Sequence, residues 1–217
     1  MLKIKQVNMK IPPIAINRLS IYYRCLERLV ETQEGRNLKT ISSDKISLIT
    51  GINSTQVRKD LAYFGEFGKR GIGYPIAHLS EALRKILGFD RKLNILIIGA
   101  GNLGKALVDY KGFKRRGFLV KGIFDNNPQK IGKAINDIFI YNIEDMEKYI
   151  EKWDIKIVAV AVPADSAQEI VNRIIDSGIK SILNFAPICL QVPNGIRINN
   201  VDLSIELERL SYYLSSE

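Results

Sequence analysis

The sequence predicts an α/β protein in which an N-terminal winged helix-turn-helix domain precedes a Rossmann-like, doubly wound parallel sheet and a C-terminal helix. Two short helical patterns joined by the tripeptide Gly51-Ile52-Asn53 predict the helix-turn-helix. From Leu93 onward, short apolar runs alternate with helical patterns, which is typical of βαβ units and a parallel sheet. The length of 217 residues gives between one and two domains at about 150 residues each.

The N-terminal part contains four predicted helices. We predict them from Pro13 to Gly35, from Ser42 to Gly51, from Ser54 to Gly65 and from Ile76 to Leu87. The apolar residues of the first helix, at spacings of three and four, are Ile16, Leu19, Tyr23, Leu26 and Val30. The short oxygen side chains of Ser42, Ser43 and Asp44 are typical of a helix start.

A wing and a linker complete this part of the chain. Glycines at positions 65, 68, 71 and 73 break helices and permit a tight hairpin, and a hairpin after a helix-turn-helix is expected of a wing. The polar segment Phe89–Lys92 is the predicted linker. The predicted divisions are therefore residues 1–88, residues 89–200 and a C-terminal helical segment of residues 201–217.

The positive charge is concentrated in the N-terminal part. Residues 1–90 carry 15 Lys or Arg against 8 Asp or Glu, whereas residues 91–217 carry 17 against 15. The net charge of +9 therefore divides into +7 and +2. Such asymmetry indicates a polyanion partner, most commonly nucleic acid, for the first part. A basic surface that only maintains solubility is the alternative, and composition does not separate the two.

The second part predicts a sheet buried on both faces, because its apolar runs are unbroken. The predicted strands are Asn94–Ala100, Phe118–Phe124, Ile155–Val162 and Lys180–Phe185. The predicted helices are Leu103–Lys111, Ile143–Trp153, Ser166–Ser177 and Asp202–Leu214.

The first of these strands leads into the pattern GxGxxG, with the sequence Gly99-Ala100-Gly101-Asn102-Leu103-Gly104. Between a strand and a helix this pattern predicts a dinucleotide site: the first glycine allows the sharp turn, the second admits a pyrophosphate, and the third lets helix and strand pack closely. Asp125, 21 residues beyond Gly104, is suited to accept hydrogen bonds from a ribose diol. A carboxylate there favours NAD(H) over NADP(H). Lys130 is a further expected cofactor-binding residue, and it is a reservation about that preference.

Two alternatives concern the same domain. In the first, the domain is a vestigial Rossmann fold or one adapted to CoA. In the second, the whole chain is a small NAD-dependent oxidoreductase with an accessory basic domain. A dehydrogenase usually needs a proton donor or a metal near the nicotinamide. The only histidine, His78, lies in the basic part, and Tyr110 and Lys114 follow the phosphate helix too early to face a substrate. We therefore expect the cofactor to be bound without being consumed.

The helix from Ser54 predicts DNA recognition. Val57, Leu61 and Phe64 share an inward face, which leaves Thr55, Gln56, Arg58 and Lys59 on the other. Arginine can bind guanine, glutamine can bind adenine, and lysine mostly neutralises phosphate. The expected DNA-binding residues are Ser43, Thr55, Gln56, Arg58, Lys59 and, at the tip of the wing, Lys69 and Arg70.

Other classes of protein are disfavoured. The sequence has no apolar run long enough to span a bilayer, no secretory leader and no metal-ligand spacing. Its two cysteines, Cys25 and Cys189, are too few for a disulfide framework. We expect a cytoplasmic protein with no membrane and no metal partner.

Several motifs, in order, resemble the Rex family of redox-sensing transcriptional repressors. They are Val57–Leu61, Tyr63–Gly65, Arg70–Tyr74, Gly99–Gly104, Asn184–Pro187 and Asn200–Asp202. The resemblance implies a homodimer that binds an inverted-repeat operator, senses the NADH to NAD+ ratio and leaves DNA when NADH binds. It places Arg58, Lys59 and Arg70 on DNA, the glycine loop on the pyrophosphate and Asp125 on the adenosine ribose. It places Val162, Pro163, Asn184, Phe185, Ala186 and Pro187 on the nicotinamide side.

The resemblance also implies a domain-swapped C-terminal helix, and Leu203, Leu207, Leu210 and Leu214 form a matching apolar stripe. Packing of this stripe on its own domain is the alternative. A switch network of Arg24, Tyr110 and Asp202 is implied, with Arg24 and Asp202 from different subunits. Two positions depart from the family: Leu203 stands where some relatives have phenylalanine, and Asn127 stands where the family usually has a second acid.

Overall fold

The computed structural model describes residues 11–32, 36–68 and 71–214. The chain divides into two compact units, residues 1–91 and residues 92–217. The elements of unit 1 are α1 (Pro13–Glu31), β1 (Thr40–Ile41), α2 (Ser43–Thr50), α3 (Ser54–Ala62), β2 (Tyr74–Pro75) and α4 (Ile76–Ile86). The helix-turn-helix is formed by α2 and α3, which confirms the predicted class of this unit.

Unit 1 has one hydrophobic core, to which α1 contributes Leu19, Tyr22 and Leu26. The expected inward positions Ile16 and Val30 are instead 45% and 46% exposed, because the buried stripe of α1 follows Ala15, Leu19, Tyr22, Leu26 and Leu29. Helix α1 ends at Glu31, and Gly35 lies outside the described residues. The inward face of α3 is as predicted, with Val57 and Leu61 buried and Phe64 packed on the core.

The predicted hairpin is different in the structure. Strand β2 pairs antiparallel with β1, with Ile41 opposite Tyr74, so the strand after the glycines joins the segment before α2. Residues 65–67 have no regular structure, Gly68 is a bend, Gly71 and Ile72 form a turn, and Gly73 is in a single β-bridge that precedes β2. Gly73 has a φ of +87° and lies against the carbonyl of Ile41, where a Cβ would collide with backbone.

The predicted linker begins too early. The Phe89 ring lies 5.3 Å from that of Tyr23 and packs against the core of unit 1. The division between the units falls after Arg91. The polar residues around Phe89 had indicated a linker, but its aromatic ring is part of the first core.

Unit 2 is built around a seven-stranded sheet. Its elements are β3 (Leu93–Ile98), α5 (Asn102–Asp109), α6 (Lys111–Arg115), β4 (Phe118–Asp125), β5 (Ala134–Ile135), β6 (Ile138–Asn142), a 3-10 turn (Ile143–Asp145), α7 (Met146–Lys152), β7 (Ile155–Val160), α8 (Ala164–Asp176), β8 (Ser181–Asn184), β9 (Arg197–Asn200) and α9 (Leu203–Leu214). The strand order is β5-β6-β4-β3-β7-β8-β9, and every pairing except β5 with β6 is parallel. This confirms the Rossmann-like doubly wound class.

The sequence predicted four of these strands and missed β5, β6 and β9. Strand β9 is Arg-Ile-Asn-Asn and lies at an edge, so it lacks the apolar run that marks a strand buried on both faces. The predicted helix Ile143–Trp153 begins as the 3-10 turn.

The sheet carries a hydrophobic core on each face. One contains Leu96, Ile98 and Phe124, and the other contains Ile97 and Ile123. Register brings the carboxyl ends of the parallel strands to one edge, where Ile98 lies opposite Phe124 and Val160, and Asn184 lies opposite Val160 and Asn200. Ligands of such sheets bind at this edge, where the strand order reverses.

Helix α9 contributes no residue to these cores. All four leucines of its predicted stripe are more than 60% exposed. Within the described residues, no helix combines the length and the apolar character required to cross a membrane.

Candidate nucleotide and DNA sites

The glycine loop lies between β3 and α5, as its pattern predicts. Gly99 adopts a φ of +101°, and a Cβ there would overlap the carbonyl oxygen of Ala161. A Cβ on Gly104 would overlap the carbonyl oxygen of Gly99, so the absence of a side chain lets α5 start directly against the loop. Gly99 and Gly104 therefore have the structural roles expected of a nucleotide-binding turn.

Gly101 differs from its neighbours because it faces open space. It precedes α5 at the N-cap position with a φ of −76°, and a Cβ would meet no atom within 4 Å. No side chain caps this helix start, and Asn102 and Leu103 are exposed. The first N–H groups of α5 are thus available to an anion.

A cavity of about 470 Å³ opens beside this loop. Its lining includes Gly99, Gly101, Asp125, Asn127, Lys130, Val162 and Pro163. Residues at the ends of β3, β4 and β7 therefore line one cavity. The sequence predicts these residues at the pyrophosphate, the ribose and the nicotinamide side, respectively.

Asp125 ends β4 and is buried, and both of its carboxylate oxygens accept hydrogen bonds from the protein. Oδ2 accepts a hydrogen bond from the backbone N–H of Ala100 at 2.7 Å and pairs with Nζ of Lys130 at 3.0 Å. Oδ1 accepts the N–H of Asn127 at 2.9 Å. Burial opposes ionisation, but the donors from Asn127, Lys130 and Ala100 outweigh it and lower the pKa of Asp125. The carboxylate fixes the glycine loop as well as facing the cavity.

The opposite end of the lining was not predicted. Ile143 and Glu144 of the 3-10 turn and Ile170 and Arg173 of α8 also border the cavity. The Arg173 guanidinium donates to Glu147 at 2.9 Å and to the carbonyl of Ile143 at 3.2 Å, which ties α8 to the turn. The sequence predicted a helix over Ser166–Ser177 but no site residue within it, and nothing in the local sequence around Ile170 indicates a cavity.

The Asn184–Pro187 segment is organised by the side chain of Asn184, which is fully buried. Its Nδ2 donates to the carbonyl of Ala186 at 3.0 Å and to Oδ1 of Asn200 at 2.9 Å, while its Oδ1 accepts the N–H of Ala186 at 3.0 Å. Ala186 is buried, Phe185 is half-buried and Pro187 is exposed. The segment follows β8 at the edge where Val162 and Pro163 follow β7.

In unit 1, Arg58 projects from α3 and its guanidinium has two local partners. It donates to Oγ of Ser43 at 2.7 Å and to Oγ1 of Thr55 at 3.1 Å. Ser43 is buried and accepts this hydrogen bond, so that it supports Arg58, and direct contact between the Ser43 hydroxyl and DNA stays a prediction. Arg58, Thr55 and Lys59 are exposed on one side of the helix. Lys69 and Arg70 lie outside the described residues.

A buried carboxylate that the sequence did not reveal lies on the opposite side of α3. Asp60 is 0% exposed and accepts two hydrogen bonds from the Arg18 guanidinium, at 2.5 and 2.7 Å, and one from the Tyr22 hydroxyl at 2.8 Å. Gln56 also donates its Nε2 to Asp60 at 2.8 Å, so its amide is directed inward. Contact between Gln56 and adenine remains a prediction that would require this bond to break.

Ionisation of Asp60 is determined by two opposing effects. Burial opposes the charged form, whereas hydrogen bonds from Arg18, Tyr22 and Gln56 favour it and lower the pKa of Asp60. Burial, followed by the hydrogen bond to Asp60, raises the pKa of the Tyr22 hydroxyl. The cluster therefore holds α3 against α1 through an ionised carboxylate.

The expected switch residues are accessible within their own units. Tyr110 connects α5 to α6 and is 55% exposed, and Arg24 is exposed on α1. Asp202 precedes α9 and accepts hydrogen bonds from the N–H and hydroxyl of Ser204, which lower its pKa. Leu203 is 71% exposed. The described residues contain no group of three or more His, Cys, Asp or Glu arranged to hold a metal ion.

The chain resembles known proteins over nearly its whole length. Family models match residues 90–188, described as a CoA binding domain, and residues 10–62, described as a putative DNA-binding protein N-terminus. The chain is 47% identical to the redox-sensing transcriptional repressor Rex of Pelotomaculum thermopropionicum, covering 95% of each chain. It is 42% identical to the redox-sensing transcriptional repressor Rex 1 of Thermotoga maritima, covering 94% of this chain and 95% of that one.

Solved structures give the same result. The crystal structure of RSP in complex with β-NAD+ and operator DNA matches with a TM-score of 0.89 at 41% identity, covering 96% of this chain and 94% of that one. RSP in complex with β-NADH matches with a TM-score of 0.85 at 39% identity, covering 96% of each. A third structure, at a TM-score of 0.86, is described as RSP, a Rex-family repressor. The chain therefore belongs to the Rex family of redox-sensing transcriptional repressors.

Proposed function

We propose that this chain is a cytoplasmic, homodimeric repressor that binds an inverted-repeat operator and is released from it by NADH. One observation carries the proposal: the chain matches, over 96% of its length, a repressor solved with both β-NAD+ and operator DNA. In agreement with that match, the same chain contains a helix-turn-helix and the cavity beside the glycine loop, here called the nucleotide cradle.

The cradle supplies the nucleotide contacts of the proposal. The N–H groups around Gly101 hold the pyrophosphate at the start of α5, and Asp125 and Lys130 lie at the ribose. Val162 and Pro163, with the Asn184–Pro187 segment, form the nicotinamide side. Ala100 is buried and contributes its backbone to the loop, whereas Asn102 and Leu103 cover the phosphates.

On the DNA side, Arg58 reads the base edges of a half-site, with Thr55 and Ser43 orienting its guanidinium. Lys59, together with Lys69 and Arg70, neutralises phosphates, as expected of basic residues at the protein surface. Gln56 joins them if its amide leaves Asp60.

Helix α9 is the dimerisation element of the proposal. Its leucine stripe is exposed, and an amphipathic helix with an unburied apolar face is suited to a groove on a partner. Exchange between two copies buries both stripes. Arg24 of one subunit then meets Asp202 of the other, with Tyr110 between them, as the resemblance to Rex implies.

The mechanism follows from linkage. NADH releases DNA only if it binds the DNA-incompetent arrangement more tightly than the competent one, because a ligand with equal affinity for both shifts nothing. Reciprocity requires operator DNA to weaken NADH binding by the same factor. The cofactor is not consumed, so the chain is not an enzyme. An oxidoreductase would instead turn the cofactor over with a carbonyl substrate.

The decisive experiment is gel retardation of an inverted-repeat operator by the full chain, with NAD+, NADH and CoA titrated separately. We expect retardation with NAD+ and release by NADH. Release by CoA alone would favour the CoA interpretation of the second unit. Equal NADH affinity of free and operator-bound protein would exclude the proposed linkage.

Replacing Gly101 by alanine is expected to weaken NADH binding by roughly tenfold or more without changing the unfolding free energy by more than about 0.5 kcal/mol. The φ of −76° suits alanine, and the added methyl meets no protein atom, but it lies where the pyrophosphate approaches. NADH fluorescence titration and urea unfolding measure the two quantities. Gly104→Ala is the matched contrast, expected to lose stability because its methyl overlaps the Gly99 carbonyl.

A further inference from the structure

The side-chain amide of Gln56 is held in one orientation by Asp60. Gln56 lies in the first turn of α3, four residues before Asp60, so both side chains share one side of the helix. Its Nε2 donates to Oδ1 of Asp60 at 2.8 Å. An ionised carboxylate only accepts hydrogen bonds, so the nitrogen must face Asp60 and the carbonyl oxygen, Oε1, must face away.

Oε1 of Gln56 reaches the surface of the protein. Among the described residues, no donor bonds to this oxygen, and every buried side-chain nitrogen or oxygen of those residues has a partner. Gln56 is half-buried, so the accessible part of its amide includes Oε1. Helix α3 therefore presents the donors of Arg58 and, from Gln56, an acceptor.

An acceptor without an accompanying donor selects a particular base edge. In the major groove, adenine presents the N7 acceptor beside the N6 amino donor, and glutamine matches it only by using both atoms of its amide. Cytosine presents the N4 amino donor, which an acceptor alone satisfies. With its nitrogen on Asp60, Gln56 has the hydrogen-bonding character of a carboxylate without the charge.

The bond between Gln56 and Asp60 is stronger than the one that adenine offers in exchange. Asp60 is fully buried and ionised, and it also accepts hydrogen bonds from the Arg18 guanidinium and the Tyr22 hydroxyl of α1. Hydrogen bonds to an ionised acceptor are about twice as strong as those between neutral groups. Turning the amide toward adenine would replace such a bond by one to a neutral ring nitrogen.

We propose that Gln56 stays bonded to Asp60 on the operator and reads the N4 amino group of a cytosine through Oε1. Asp60 is then a positioning residue for base recognition, in addition to holding α3 against α1. The proposal rests on the proposed function, in which α3 is the recognition helix.

The test removes single atoms from the operator. The full chain first selects an inverted repeat from random duplexes, and 2-pyrimidinone, which lacks the N4 amino group, then replaces each cytosine in both half-sites. At one position, wild type should lose about tenfold in affinity, because one hydrogen bond is lost in each half-site. Gln56→Ala should bind the unmodified operator with a similar loss and should be indifferent to the analogue at that position.

Asp60→Asn tests the positioning role. An asparagine amide donates as well as accepts, so the glutamine is free to turn, and the preference for cytosine at that position should broaden to include adenine. A purely structural loss would weaken all operators by the same factor. Gln129→Ala, which removes an exposed glutamine from unit 2, is the matched control and should retain the wild-type response to every analogue.

Adenine analogues distinguish the two modes of reading. Purine lacks the N6 amino group and 7-deazaadenine lacks N7. If the loss that depends on Gln56 occurred with either of these, the glutamine would read adenine and the proposal would be overturned. Equal sensitivity of wild type and Gln56→Ala to every analogue would overturn it as well. Failure of the full chain to select any operator would instead contradict the proposed function.

Discussion

Replacing Arg58 by alanine should strongly weaken operator binding at physiological salt while leaving NADH affinity unchanged. A bidentate arginine contact to a base contributes about 1–3 kcal/mol of discrimination, and a homodimer on an inverted repeat loses it twice. Affinity should therefore fall by roughly 30-fold or more. The loss includes the preorganisation of the guanidinium by Ser43 and Thr55. Gel retardation and NADH titration on the same preparation measure both affinities.

Two variants separate base recognition from general electrostatics. Lys59→Ala should weaken binding to operator and to random DNA alike and reduce the salt dependence of binding. Arg84→Ala removes an exposed charge from α4 and should leave operator binding close to wild type. If Arg58→Ala also lost NADH binding, misfolding would explain its effect. If it retained operator binding, α3 would not be the recognition helix.

Replacing Asp60 by alanine should lower the unfolding free energy by about 3 kcal/mol, because it strands the Arg18 guanidinium and the buried Tyr22 hydroxyl. We place the effect near the lower limit for a broken buried pair because 19% of the Arg18 side chain is exposed. The only tryptophan, Trp153, lies in unit 2, so its fluorescence reports that unit. We expect the urea transition followed by far-ultraviolet circular dichroism to move, and the Trp153 transition to move less.

The pH dependence of this cluster has a defined sign. The pKa of Asp60 is lower in the folded protein than its usual value, so its contribution is complete above the unfolded pKa of about 3.9. That contribution is lost as the pH falls through the folded pKa. Below about pH 4, wild type should therefore lose more stability than Asp60→Asn. Equal acid sensitivity of the two proteins would indicate that other carboxylates govern acid unfolding.

The sequence predicted the nucleotide site where the chemistry is local. The glycine pattern occupies six consecutive residues, and the interval to Asp125 is set by the length of one βαβ unit. Both can therefore be recognised from residue types and their spacing in the sequence. Lys130 is predicted as a cofactor-binding residue, but its bond to Asp125 is not predicted, because it depends on the turn after β4. Arg173 contributes from α8, which the periodicity marked only as a helix.

The DNA-binding unit shows the same limit. Helical spacing correctly placed Val57 and Leu61 inside, but Asp60 is buried although an acid is normally expected at the surface. Its partner Arg18 is 42 residues away in the sequence, and only the packing of α1 on α3 brings them together. The wing pairing was missed for a related reason: the partner of Tyr74 is Ile41, which lies before the helix-turn-helix.

The buried Asn184 links the ligand side of unit 2 to the start of α9 by hydrogen bonds. Its side-chain nitrogen donates hydrogen bonds to the carbonyl of Ala186 and to Oδ1 of Asn200. Its backbone carbonyl oxygen accepts the N–H of Val201 at 2.8 Å. Asp202 and α9 follow immediately. We therefore expect a displacement of the segment around Ala186 to reach the first turn of α9 through these hydrogen bonds. An aspartate at position 184 would set its oxygen against two other acceptors and uncouple the two ends.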